Sequence, residues 1–292
     1  MLCKCVESVL ASDWSDLEVV VADDCSPDDT KATIESRFGG DARVKYVRTP
    51  RNGFTSLARN CGAKIADGDY LFFLDDDNLL ESNAISEMIS TFKRHPDAGF
   101  VSPLTVHWCE DGRRLVWTLG LNYNKWSTQF PARHRGNVTL ANLPEGDDFS
   151  TCASPNAMMA SRKIFDAVGG FDESYGMQFD ESDFCMRTIE ASGEDGYICA
   201  KAVTRHLGYQ DAADVGVLRC LGIGNPRRAY CFGRNRSKFA RRHSKFHQSL
   251  WCVLVMAPLS AFYYCYIALK NHRPDIAWGY AKGTVRGMLC LQ

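Results

Sequence analysis

Three consecutive carboxylates, Asp75, Asp76 and Asp77, close the apolar run Tyr70–Leu74. The run has strand length and is rich in aromatic and aliphatic side chains, so it reads as a buried strand. The acids then sit at its carboxyl end, where open α/β sheets bind ligands. Adjacent carboxylates repel one another. A divalent cation relieves that repulsion, and hard oxygen ligands suit Mg²⁺ or Mn²⁺. In extended chain Asp75 and Asp77 share a face and Asp76 takes the other. A solvated acidic turn ahead of a helix at Glu81 is the competing reading. Two further acid clusters have the same character. The run Leu17–Ala22 leads into Asp23 and Asp24, and Asp180-Glu181-Ser182-Asp183 opens a helix. Asp180 three residues before Asp183 resembles a capping box, and acids suit a helix N-terminus. Glu181 has no such task.

The elements that must carry these acids follow from periodicity. Residues 1–12 read as a helix with Cys5, Val6, Val9 and Leu10 on one face. A strand at Leu17–Ala22 is followed by a helix that Ser26 or Asp28 caps and Gly39-Gly40 ends. Val44–Val47 is a short strand, Thr55–Ala66 a helix and Tyr70–Leu74 a strand. A helix from about Glu81 to His95 turns Ile85, Met88, Ile89 and Phe92 inward. Strands alternating with helices at this spacing predict a doubly wound, mainly parallel sheet. From Gly99 the pattern changes. Phe100–His107 and Arg114–Leu119 flank Glu110-Asp111-Gly112 as a hairpin, residues 120–150 are irregular, Arg162–Val168 is a helix, and Tyr197–Ala202 is a strand ahead of His206.

A chain of 292 residues, 45% hydrophobic and with a formal net charge of -1, is a globular domain of roughly 200 residues plus a further segment, with no general affinity for polyanions. Its 13 cysteines are scattered and odd in number, which predicts reduced thiols in a cytosolic setting. The glycine-rich dinucleotide fingerprint and the phosphate loop are both missing. A nucleotide here would therefore be held by carboxylates and metal. No nucleic-acid-binding motif accompanies the basic residues.

Those basic residues concentrate near the C-terminus. Residues 215–249 contain no acid, and Leu250–Leu269 carries no charge at all. Twenty apolar residues are just enough to cross a bilayer. Pro258 and Ser260 weaken a span, and a basic run feeding an apolar one equally suits a helix lying in an anionic membrane surface.

In their order the motifs resemble glycosyltransferase family 2, enzymes with the GT-A fold. The matching stretches are Glu7-Ser8-Val9-Leu10, Val19–Thr30, Arg59-Asn60-Cys61-Gly62, Gly68–Asn78, Val168-Gly169-Gly170-Phe171-Asp172 and Asp180–Arg187. The resemblance implies a GT-A domain over 1–210, its nucleotide-binding half 1–98 and its acceptor half 99–210, with a helical, membrane-associated tail over 211–292. It implies an inverting enzyme that moves a sugar from a nucleotide-diphosphate donor to a hydroxyl acceptor, lipid-linked or glycan, at the cytoplasmic face of a membrane as a peripheral or single-pass protein. Donor-binding roles fall on Asp23, Asp24, Arg59, Asn60, Asp75 and Asp76. Asp75, Asp77 and His206 are the implied ligands of Mn²⁺ or Mg²⁺. The catalytic base falls among Glu181, Asp180 and Asp183, with Glu181 matching the second acid of the family's pair in swapped order.

One departure from the family stands out. Its first strand, normally central and ahead of the Glu-Ser-Val-Leu helix, is missing, because Met1 falls inside that helix. This predicts a truncated or mis-started version of a longer protein, whose neighbouring strands would lack a ladder partner. A nucleotidyltransferase and a non-catalytic membrane-bound relative are the alternative readings.

Overall fold

The computed structural model describes residues 1–109, 112–133, 138–154, 156–207 and 216–290. The chain divides into two units. One comprises Met1–Asn122, Ala132–Glu173 and Phe184–Tyr209, and the other Tyr123–Pro131, Ser174–Asp183 and Gln210–Gln292.

The first unit begins with α1 (Leu2–Leu10), β1 (Val19–Asp23), α2 (Thr30–Phe38), β2 (Val44–Arg48) and α3 (Phe54–Ile65). β1 and β2 pair in parallel from Val19↔Val44 to Asp23↔Arg48. Val6, Val21, Ile34 and Phe38 bury their side chains together, which fixes α1 and α2 on this small sheet. A second sheet follows from β3 (Tyr70–Phe73), β4 (Asn78–Leu80), β5 (Val101–Trp108), β6 (Arg114–Val116), β7 (Asp148–Thr151), β8 (Met158–Ser161) and β9 (Gly196–His206), with α4 (Ala84–Arg94) and α5 (Arg162–Val168) between strands. α6 (Asp180–Ser192) precedes β9, its residues from Phe184 onward belonging to this unit.

The strand order is β3-β8-β5-β9-β4, with β6 beside β5 and β7 beside β9. The α/β class is as expected. The larger sheet is mixed: β5 and β9 run parallel and its other ladders are antiparallel. Short strands escape the periodicity. Asn78–Leu80, between the acids and the helix, form β4, a strand of three residues that is too short to show alternation. The expected hairpin forms through β5 and β6, although Glu110 and Asp111 at its tip lie outside the described residues. The inward set of α4 is as predicted, with Ile85, Met88, Ile89 and Phe92 all buried.

The second unit carries α7 (Val217–Cys220), α8 (Pro226–His243), α9 (Phe246–Trp251), α10 (Ala257–Lys270) and α11 (Pro274–Met288). It has its own core of Ile223, Ala229, Ala268, Ile276 and Tyr280. Asn225 caps α8 by accepting from Arg228 N at 2.9 Å, and Pro226 takes the first turn, where a missing N–H costs nothing. α11 meets α8 through Gly279, Gly283 and Gly287, spaced by four. A Cβ at Gly283 would stand 2.1 Å from the Tyr230 carbonyl oxygen, so only glycine admits this approach. α9 and α10 are joined by a π-helical turn, Cys252–Met256, that ends just before Pro258. Widening the turn accommodates the N–H that proline lacks. The result is one continuous apolar helix, Phe246–Lys270, of 25 residues. Cys252, Val253, Ala257, Ser260 and Ala268 form its buried side, while Leu254, Leu259, Phe262, Tyr266 and Leu269 stay exposed.

Candidate functional site

The acidic turn after β3 is held from three sides. Arg59 on α3 donates from Nη2 to Asp75 Oδ1 at 2.9 Å, and its guanidinium lies 5.3 Å from the Phe171 ring centroid. Asn78, fully buried, donates to the Asp75 carbonyl at 3.1 Å and to Asp77 Oδ1 at 3.2 Å. The antiparallel ladder of β4 and β9 sets Asn78 opposite His206, and Leu207 N donates to the Asp77 carbonyl at 2.7 Å. That register brings His206 Nε2 to 3.3 Å from Asp77 Oδ2. Of the expected metal ligands, therefore, Asp77 and His206 come together, whereas Asp75 is turned to Arg59.

Burial and the crowding of acids act together around the turn. The Asp76 carboxyl is pushed up, first by the protein atoms packed around it and then by the charges of Asp77 and Asp75. Its side chain still reaches solvent, so the two neighbouring charges are the more telling part. Cys5 on α1 places its Sγ 3.7 Å from the Asp75 carbonyl oxygen. Burial, followed by the charges of Asp76 and Asp77, pushes this thiol up to about 12, which keeps it neutral and unreactive.

Asp23 is buried and Asp24 half-buried, and both are engaged by neighbouring donors. Asp23 accepts from Tyr46 Oη at 2.5 Å, Arg48 Nη1 at 2.9 Å and Ser26 N at 2.7 Å. Burial alone would raise its carboxyl, but the hydrogen bonds from Tyr46 and Ser26 and the Arg48 charge outweigh it and hold the group below the ordinary carboxylate range. Asp24 accepts from Gly53 N at 2.8 Å and Phe54 N at 2.7 Å. It thereby caps the start of α3 from a distance in sequence. Asn60 is likewise engaged: its amide accepts from Phe171 N and donates to Phe171 O, both at 2.9 Å. Two motifs separated in sequence, Arg59-Asn60 and Gly169-Gly170-Phe171, are thus bolted together.

In the second unit, Asp180, Glu181 and Asp183 occupy the first turn of α6. Asp180 and Asp183 are buried and Glu181 is half-buried. Asp183 Oδ1 lies 2.8 Å from His243 Nε2 and 3.5 Å from Arg242 Nη1. Glu181 is thus the acid of the three with its side chain open to solvent. His243 went unnoticed in the sequence because it lies among basic residues that read as a membrane-facing run.

Among the described residues no group of three or more His, Cys, Asp or Glu is gathered as a metal cluster. The pair Asp77 and His206 still fits a divalent cation. A carboxylate oxygen and an imidazole nitrogen are suitable donors, and they meet 3.3 Å apart next to the further carboxylates Asp75 and Asp76.

The profile of glycosyl transferase family 2 matches residues 1–167. The chain is 36% identical over 94 residues to a Campylobacter jejuni GalNAc(5)-diNAcBac-PP-undecaprenol beta-1,3-glucosyltransferase, covering 30% of this chain and 29% of that protein. It is 33% identical over 91 residues to an Escherichia coli chondroitin synthase, covering 31% of this chain and 13% of the relative. The matched stretch thus spans less than a third of these relatives' length. Among solved structures, a mannosyltransferase of Pyrobaculum calidifontis in complex with GDP-Man and Mn²⁺ superposes with a TM-score of 0.59 at 13% identity, over 100% of this chain and 84% of that one. GalNAc-T7 with UDP, GalNAc and Mn²⁺ superposes with a TM-score of 0.58 at 15% identity, over 94% and 55%. At these identities the likeness is one of fold.

Proposed function

Since the chain belongs to glycosyl transferase family 2, we propose that it is an inverting, metal-dependent transferase that moves a sugar from a nucleotide-diphosphate donor to a hydroxyl of a lipid-linked or glycan acceptor. The convergence of Asp77 and His206 at the acidic turn after β3 carries this reading. A bound Mn²⁺ or Mg²⁺ would neutralise the charge that develops on the leaving diphosphate, and Asp77 and His206 would hold it.

The chain's own residues supply the rest. Arg59 orients Asp75 through its hydrogen bond, while Asp76 adds negative charge beside the residues that would hold the cation. Asp23 and Asp24 act on the donor through the loops they fasten, 23–30 and 49–54, rather than through free carboxylate oxygens. Glu181 takes the proton of the acceptor hydroxyl on its carboxylate. The acceptor oxygen then forms the new bond to the anomeric carbon as the bond to the diphosphate breaks, and attack from the opposite face inverts that centre. General-base assistance of this kind is worth about 10²–10⁴ in rate.

The exposed apolar side of Phe246–Lys270 supports association with a membrane surface, and we propose the cytoplasmic face as the one the family resemblance implies. Hydrolysis of a panel of UDP- and GDP-sugars, with and without Mn²⁺, tests the activity. Mn²⁺-dependent release of nucleoside diphosphate from one of them is the expected result. Release from none, with or without metal, would favour a non-catalytic relative.

A further inference from the structure

Glu181 stands at a place where the backbone is strained. Gln178 and Phe179, the two residues before Asp180, both adopt left-handed conformations, with φ of 68° and 67°. Side chains with a Cβ avoid this region, and a bulky aromatic one does so strongly. Such a conformation persists only where its surroundings over-determine it.

Those surroundings are a single stripe of α8. Asn235, with no exposed surface, points its amide nitrogen at the carbonyls of Tyr175, Met177 and Gln178, at 2.9, 2.8 and 2.9 Å. An amide has two hydrogens, so at least one is shared between two carbonyls. Arg234 donates to the Ser174 and Tyr175 carbonyls at 2.7 and 2.8 Å. The Phe179 ring packs on Phe232 and Phe239, with centroids 5.6 and 5.2 Å away. Two turns after Asn235, His243 meets the buried Asp183 at 2.8 Å. The helix therefore grips the chain on both sides of Glu181, at 174–179 and at 183, and leaves Glu181 itself half-open.

We propose that Asn235 and His243 are positioning residues that hold the left-handed entry to α6 and thereby aim the Glu181 carboxylate. The inference rests on the reading of Glu181 as the base. Nothing about solubility or helix formation asks for a buried amide aimed at three carbonyls of a strained loop. A base must be placed within a fraction of an ångström, and a misplacement of 1 Å can cost about 10²-fold in rate.

The test begins with amide hydrogen exchange on the full-length chain, which needs no substrate. In Asn235→Ala the amides of 176–184 should exchange faster than in wild type, with those of β1 and α3 unchanged. Unchanged exchange at 176–184 would overturn the clamp. If Asn235→Ala does not fold, His243→Phe is read in its place, with His243→Gln as the conservative variant that keeps a donor nitrogen. Kinetics then use whichever of UDP-glucose, UDP-N-acetylglucosamine and GDP-mannose is hydrolysed with Mn²⁺, water standing in for the acceptor. His243→Phe and Asn235→Ala should lower kcat by about ten- to a hundredfold with KM for the nucleotide sugar unchanged, and His243→Gln should recover most of the loss. On a Glu181→Gln background neither should lower kcat further, since both act through the missing carboxylate. An equal fall on both backgrounds, or a change confined to KM, would refute the positioning role. Wild-type turnover in Glu181→Gln alone would refute the base assignment instead, and the exchange result would still decide the clamp.

Discussion

His206 Nε2 stands 3.3 Å from Asp77 Oδ2 although the two are 129 positions apart in sequence. The contact is a product of strand register: β4 and β9 pair Asn78 with His206, so the neighbouring Asp77 and the histidine ring share the end of the ladder. Asp77→Asn should abolish Mn²⁺-dependent nucleotide-sugar turnover while the thermal midpoint and circular dichroism stay at wild-type values. His206→Gln should weaken the apparent affinity for Mn²⁺ by about 10–100-fold. Full activity of Asp77→Asn at ordinary Mn²⁺ and saturating donor would rule out the metal role.

The three acids opening α6 should separate by experiment. Glu181→Gln is expected to leave binding of nucleotide sugar near normal and cut turnover by about a hundredfold or more. Asp183→Asn removes the carboxylate charge facing His243 and Arg242 and is expected to lower stability by about 1–3 kcal/mol. Denaturant titration and steady-state kinetics on both variants make the comparison. A stable, inactive Asp183→Asn beside an active Glu181→Gln would move the base by two positions.

Asp23 should show itself in the pH dependence of stability. Its folded carboxyl lies below the ordinary range, with Tyr46, Ser26 and Arg48 as the lowering groups. The stabilisation is therefore present at pH values above the unfolded carboxylate pKa of about 3.9 and is lost as pH falls through the folded value. Urea unfolding of wild type and Asp23→Asn between pH 7 and pH 3 should give a gap that is constant down to about pH 5 and narrows below it. A gap that is the same at pH 3 as at pH 7 would contradict this account.

Gly170 joins the two motifs of the first unit. Its φ is +69°, and an added Cβ would lie 2.8 Å from Asn60 Oδ1. Gly170→Ala should cost about 1–2 kcal/mol from backbone strain alone, and more because Asn60 must give way. A thermal midpoint equal to wild type would show that the loop is not pinned in this manner.

The apolar helix offers a cell-level check. Leu254, Phe262 and Leu269 are exposed on its open side, so replacing all three by Glu should leave the core of the second unit intact and shift the protein from the membrane to the soluble fraction. Wild-type chain found wholly in the soluble fraction would defeat the membrane reading at the outset.

Much of the first unit was legible from periodicity. The strand ending at Asp23, the helix ending at Phe38 and the inward face of Ile85, Met88, Ile89 and Phe92 each state their structure within a dozen residues. The second unit was not legible as a unit. Residues 123–131 and 174–183 join it from afar, and its basic composition hides the packing of Gly279, Gly283 and Gly287 against α8, which becomes meaningful only once the two helices are side by side.

The sequence alone determined which chemistry is available: acids at the ends of apolar runs, an α/β alternation to carry them, and a basic stretch leading into an apolar one. These are local properties, set by side-chain type and by periods of two and 3.6 residues. Tertiary structure decided how each acid is used. Asp24 was committed to the start of α3, Asp75 to Arg59, Asp77 to His206 and Asp183 to His243, because strand register and helix packing bring together groups that composition cannot pair. A carboxylate's role depends on which donors reach it, and in this protein most of those donors lie dozens of residues away.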